Sequence, residues 1–327
     1  MSLRGIPLVA RTILSAALAC GAYAQSADFE NQLAEARQLR GQGRYGEAKV
    51  ALTALLQDAR RREPEGVLVG VVLDCLGATA QDSGNFVDAE RALTDAISQF
   101  QKAGEADGVN TAVAKGHLGE VYLEETRYHE AEAVLRQALR IRQNLGDSVE
   151  LSVVIVDLAM ACEHTHRAPE AEALLRQALD SLEKQAGPKH PILTAALGPL
   201  SSLLARSGRY AEALTYTERA WEILRLDPTV GEPDLLNTMS SLGTLYSCLG
   251  RRQEAELYSK QAADRAEVVY GPDHSRLAWY LKGYAQVLQR AGRKAEAKAV
   301  ESRSNAILAR NAQGNSVQHT VNVNALR

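Results

Sequence analysis

The sequence predicts an all-α chain built as a solenoid of seven helical hairpins, and three observations lead there. A short pattern closing on Ala recurs seven times, at Ala48, Ala89, Ala131, Ala171, Ala213, Ala255 and Ala297, with intervals of 41, 42, 40, 42, 42 and 42 residues. Thirteen residues before each closing Ala from the second onward, a large residue is followed by a small one: Leu76-Gly77, Leu118-Gly119, Leu158-Ala159, Leu200-Ser201, Leu242-Gly243 and Tyr284-Ala285. Aromatics are only 5% of 327 residues, hydrophobics 46% and charged residues 24%, a composition suited to helices packed small against large.

The N-terminus is set aside before fold reasoning. "MSLRGIPLVARTILSAALACGAYAQ" has the order of a secretory signal peptide: Arg4 and Arg11, an uncharged run from Thr12 to Ala24, and Ala22-Tyr23-Ala24 before Gln25. A run of 13 residues is short of the ~20 a membrane-spanning helix needs. Residues 1–24 therefore read as a signal peptide, with an uncleaved N-terminal anchor as the alternative and a lipoprotein box at Ala17-Leu18-Ala19-Cys20 as a third form. Cleavage leaves 35 basic and 40 acidic residues, net charge −5, with no basic block. Nucleic acid is thereby disfavoured as a partner, and the expected location is periplasmic or secreted.

The mature chain opens with "NQLAEARQLR", which is helical in composition, and then "RGQGRYGEA". The latter holds a literal G-x-G-x-x-G, but a dinucleotide fingerprint must follow a strand. Recurrence decides the matter. GQGRYGEA, SGNFVDA, ETRYHEA, THRAPEA, SGRYAEA, LGRRQEA and AGRKAEA are one pattern, and Gly43 is a hairpin residue equivalent to Gly84, Gly208, Gly250 and Gly292. Four residues after each large landmark come Ala80, Tyr122, Cys162, Leu204, Tyr246 and Leu288, one helical turn on. The second helix of a unit repeats the theme, as in "EAEAVLRQALRIRQNL". Small residues let the two helices approach, and large ones fill the gap.

These residues resemble the tetratricopeptide repeat, and the ~42-residue period resembles its kinesin-light-chain-like subset. Gly187-Pro188-Lys189-His190-Pro191 and Gly271-Pro272-Asp273-His274-Ser275 look like that subset's linker. The resemblance covers residues 25–311, with a degenerate first unit carrying Glu35 where Leu belongs. It implies a right-handed superhelix, with first helices lining a concave surface. It further implies that partner contacts come from positions −1, +2, +5 and +6 around the large landmark. In the earlier repeats these include Cys75, Gln81, Asp82, His117, Glu120, Glu124, Asp157, Glu163 and His164. In the later ones they include Arg206, Thr244, Cys248, Gln286 and Arg290. The early positions carry five carboxylates and no Lys or Arg, the late ones Arg206 and Arg290 and no carboxylate. A groove acidic toward the N-terminus and basic toward the C-terminus is expected, aligning a partner segment in one direction. The paired Asn of kinesin light chains is missing; Gly116-His117 and Val156-Asp157 are examples of what stands there.

Other chemistry is not signalled. Cys75, Cys162 and Cys248 lie two repeats apart at non-equivalent positions, so three reduced thiols without a bridge are expected. His164 and His166, two apart, do not share a helix face. No H-E-x-x-H, C-x-x-C, nucleophile elbow or phosphate loop occurs. No catalytic residue, cofactor or metal is assigned, His190 and His274 are expected to satisfy local backbone groups, and Asp and Glu are read as scattered over solvated faces. Gly198-Pro199 falls inside a first helix and predicts a bend there. In the tail, residues 312–327, Val317, His319, Val321 and Val323 alternate with polar residues, a flexible or strand-forming segment that could pair with another chain. The functional expectation is a non-catalytic scaffold of the cell envelope that binds a protein or peptide segment. The alternative is an accessory or regulatory subunit of an envelope enzyme complex.

Overall fold

The computed structural model describes residues 27–145, 148–227 and 230–318, with side-chain surroundings for 28–145, 151–227 and 230–311. Residues 1–24, expected from the sequence to be a signal peptide, lie outside the described residues. Fourteen α-helices are described, in seven hairpins. The first four hairpins are α1 (Ala27–Gly41) with α2 (Tyr45–Arg62), α3 (Val67–Asp82) with α4 (Phe86–Lys102), α5 (Val109–Glu124) with α6 (Tyr128–Leu145), and α7 (Ser148–His164) with α8 (Ala168–Ala186). The last three are α9 (Thr194–Arg206) with α10 (Tyr210–Leu224), α11 (Glu232–Cys248) with α12 (Arg252–Tyr270), and α13 (Ser275–Arg290) with α14 (Lys294–Gln318). The chain divides into two compact units, Met1–Pro199 and Leu200–Arg327.

The repeated Ala is what closes each hairpin. All seven are buried, from Ala48 at 0% exposure to Ala297 at 6%. At four landmarks the small residue has a specific opponent sixteen positions on. A Cβ on Gly77 would sit 2.5 Å from Leu93 Cγ, one on Gly119 2.5 Å from Leu135 Cδ2, and one on Gly243 2.0 Å from Ser259 Oγ. Where hairpin five has Ser201 instead, its hydroxyl is satisfied, donating to the Ala213 carbonyl at 2.9 Å and lying 2.6 Å from Thr217 Oγ1.

The turns are equally uniform. In each, the first helix ends in a residue of left-handed φ, and the N–H after it bonds back to the carbonyl five residues earlier, the Schellman arrangement. Examples are Arg44 to Leu39 at 2.9 Å, Arg127 to Tyr122 at 2.8 Å and Arg251 to Tyr246 at 2.9 Å. Gly43, Gly84, Gly208, Gly250 and Gly292 supply φ of 75–84°, but Thr126 (61°) and His166 (64°) hold the same place in hairpins three and four.

The acidic residues depart from a scattered distribution. The Arg after the turn pairs with the Glu three residues on, as in Arg44–Glu47 and Arg127–Glu130 at 2.6 Å and Arg251–Glu254 at 2.7 Å. At three turns it also reaches back one hairpin: Arg127 to Glu90 at 2.7 Å, with Arg167–Glu132 and Arg293–Glu256 as equivalents. These carboxylates staple successive hairpins rather than lying loose, and hydrogen bonds from the guanidinium lower the carboxyl pKa of Glu90 and Glu132 against the opposing effect of burial. Open to solvent on one side, each pair is screened and contributes little by itself.

The linker histidines cap helices, as the sequence indicated. His190 Nδ1 accepts from the Ile192 N–H at 3.2 Å and His274 Nδ1 from the Arg276 N–H at 3.1 Å. α9 starts after a 3₁₀ turn at Pro191–Leu193 and continues through Pro199, and the boundary between the two units falls directly after that proline. α14 runs on to Gln318, so residues 312–318, Val317 included, belong to a helix and not to an alternating segment; the rest of the tail, 319–327, lies outside the described residues. Cys75, Cys162 and Cys248 are all free thiols. No helix among the described residues is long and apolar enough to cross a membrane.

Candidate functional site: the first-helix faces

In unit 1 each first helix packs directly on the first helix of the next hairpin: α1 on α3, α3 on α5, α5 on α7. Side chains about one repeat apart therefore meet across the face. Arg40 Nε donates to Asp82 Oδ2 at 2.9 Å. Gln81, only 4% exposed, donates from Nε2 to Glu120 Oε2 at 3.2 Å and to Glu124 Oε1 at 3.3 Å. His117 Nδ1 lies 2.8 Å from Asp74 Oδ1, an oxygen on a buried carboxylate. Burial works against the imidazolium, but the charge of Asp74, its hydrogen bond and the charge of Glu120 outweigh that and raise the His117 pKa.

In unit 1, Asp82, His117, Glu120 and Glu124 thus each contact a side chain of the neighbouring first helix. Asp157 is 3% exposed, so its carboxylate is taken into the packing and is not presented to a partner. His164 is exposed, and its ring stacks flat on Tyr128, centroids 4.2 Å apart at 3°. α1 adds two residues that the sequence reading passed over, Arg37 and Arg40. They stand two and five positions after Glu35, in the same register as Glu120 and Leu123, and counting thirteen back from Ala48 would have found them. The acidic face of unit 1 therefore has a basic edge.

Unit 2 holds the remaining site residues. Arg206 is exposed at the end of α9. Thr244 is exposed and its hydroxyl donates to the Ser240 carbonyl at 3.0 Å. α11 packs on α13, where Gln286 and Arg290 are exposed. Arg290 Nη1 donates to Cys248 Sγ at 2.8 Å, and the Tyr280 hydroxyl to Asn237 Oδ1 at 2.7 Å. Trp279, outside the four register positions, is 52% exposed on the same helix. A separate recess of about 450 Å³ lies within the loop Gly104–Asn110, between α4 and α5. Among the described residues no group of three or more His, Cys, Asp or Glu is placed to hold a metal ion. What the faces offer is lateral hydrogen bonding and charge, the means of holding a polypeptide segment.

The tetratricopeptide repeat family model matches residues 68–144, 150–225 and 232–308, each match spanning two hairpins. The chain belongs to the tetratricopeptide repeat family. Hairpin one falls outside the matches, in keeping with its missing landmark Leu. No curated protein sequence matches the chain. Among solved structures it is similar to BtubC (BKLC) of P. vanneervenii, at 21% identity and TM-score 0.58 over 76% of this chain and 94% of that one. A putative kinesin light chain of P. anserina with nearly identical TPR-like repeats is similar at 22% identity and TM-score 0.53, over 61% and 95%. A Rap protein solved in complex with competence and sporulation factor aligns at 15% identity and TM-score 0.61, over 86% and 76%. At these identities the likeness is one of fold: an all-α repeat solenoid.

Proposed function

We propose that the chain is an exported interaction scaffold whose first-helix faces hold a segment of a partner protein in the cell envelope. The observation that carries this reading is the lateral linkage of unit 1, where Arg40–Asp82, Gln81–Glu120/Glu124 and Asp74–His117 fix polar groups of successive hairpins on one side. A preorganised polar face costs little further ordering when a segment binds. The family's general role as a protein-binding repeat and the complex of the Rap protein support the same reading, and the signal-like order of residues 1–24 supports export.

The test is affinity capture from envelope extracts with the chain from Gln25 onward, read by mass spectrometry. One dominant partner should be enriched, and Glu120→Lys with Glu124→Lys should weaken its binding about tenfold or more. Enrichment of no protein, or an affinity unmoved by that double reversal, would remove the reading of unit 1 as the binding face.

A further inference from the structure

The solvent face of α13 carries an aromatic anchor to which the scaffold reading gives no role. Trp279 is one of two tryptophans in the chain and is 52% exposed. It is held from beneath. Its ring meets Tyr280 edge-on, centroids 4.9 Å apart at 88°, and Tyr280 is itself buried and fixed through its hydroxyl to Asn237 at 2.7 Å. One turn on, Gly283 leaves the helix surface open: a Cβ there would meet only Ser240 Oγ, at 3.5 Å. Residues 279, 283, 286 and 290 fall within an arc of about 60° on a helix. Arg290 closes the stripe, braced by Cys248 Sγ at 2.8 Å, and exposed Lys282 lies at its margin. α13 contains Arg276, Lys282 and Arg290 and no acidic residue.

We infer that this stripe is the docking site of an acidic partner segment, which lays an apolar side chain on Trp279 and carboxylates on Lys282 and Arg290. The inference rests on the scaffold reading and assigns the chemistry of one occupant. A half-exposed Trp on a helix that also carries Arg290 combines two residue types that dominate binding energy at interfaces. Complementary charge selects the acidic partner and repels a basic one. Geometry adds a spacing. Arg290 lies eleven residues beyond Trp279, about 16 Å along the helix. An extended chain advances about 3.3 Å per residue, so a carboxylate for Arg290 belongs about five positions from the apolar anchor.

The experiment titrates the chain from Gln25 onward against labelled, capped twelve-residue Gly/Ser peptides, read by fluorescence anisotropy. Each peptide carries one Phe and two Glu, the distal Glu one to eight positions from the Phe, and a matched set carries Lys for Glu. The Glu set should bind and the Lys set should not, with the tightest binding near a spacing of five. Trp279→Ala and Arg290→Glu should each weaken it about tenfold. Gly283→Leu, which puts a bulky side chain one turn from Trp279 while favouring helix, should do the same, with an unchanged thermal melt showing that α13 stays folded. Equal binding of the Lys set, indifference to Trp279→Ala and Gly283→Leu, or no binding up to about 1 mM would each overturn the inference. Binding that instead fell with Glu120→Lys and Glu124→Lys would overturn it while sustaining the scaffold reading. That reading fails separately, through the envelope capture.

Discussion

Thr126 and His166 sit where five other hairpins have glycine, with φ of 61° and 64°. A residue bearing a Cβ pays about 1–2 kcal/mol for that region, and β-branched Thr is among the worst suited. Thr126→Gly and His166→Gly should each raise stability by about 1 kcal/mol in urea unfolding, after the entropy Gly restores to the unfolded chain is subtracted. A lower midpoint would mean that these side chains hold the turn through contacts worth more than the strain. A second residue-scale prediction concerns His117. Its folded pKa is raised, so its pairing with Asp74 contributes fully below the ordinary value of 6.5 and is lost as pH rises through the raised value. Stability should therefore decline with pH above about 6.5 in the wild type, and Asp74→Asn should flatten that slope and lower the His117 pKa followed by NMR. A His117 titration unchanged by Asp74→Asn would dismiss the pair as the cause.

Two glycines three residues apart on α5 separate packing from propensity at the scale of the element. Gly119 faces Leu135, where a Cβ would intrude to 2.5 Å, whereas Gly116 has nothing within 4 Å. Gly119→Ala should cost about 1–3 kcal/mol by overpacking, and Gly116→Ala should gain about 0.5–1 kcal/mol from helix propensity alone. Thermal melts of the two variants check this; shifts of the same sign would refute the close-approach account of the landmark glycines. The landmark was legible because close helix contact forces a small residue at a fixed period, and a period survives divergence around it. The Arg staples were written just as regularly, at Arg44, Arg127, Arg167, Arg209, Arg251 and Arg293. Their reach escaped notice because the cross-hairpin partners of Arg127, Arg167 and Arg293, such as Glu90 for Arg127, lie 35–37 residues away and become partners only once hairpins stack. Site residues were harder still. Asp157 and His117 share a register position, yet one is buried and the other only partly so, a difference set by neighbours that no single repeat encodes.

At the scale of the molecule, repeat architecture predicts how the chain comes apart. Each hairpin is held chiefly by its immediate neighbours, so an array opens from its ends and not all at once. The cysteines report on this within unit 1. Cys75 in hairpin two and Cys162 in hairpin four are buried at 4% and 0% exposure, and burial, the foremost influence on each, pushes both thiols above the usual range. Cys248, in unit 2, is partly exposed. A thiol reagent should label Cys248 in the native protein and leave the other two protected. In urea below the unfolding midpoint, Cys75 should then react before Cys162, each rate normalised to the fully unfolded chain, because one hairpin shields the first from the end of the array and three shield the second. Equal rates would mean that unit 1 opens as a single cooperative block. The staples from Arg127 to Glu90 and from Arg167 to Glu132 would then be the first contacts to suspect, and Arg127→Ala should restore the order of labelling, since removing one link between neighbouring hairpins lowers the coupling that end-fraying must overcome.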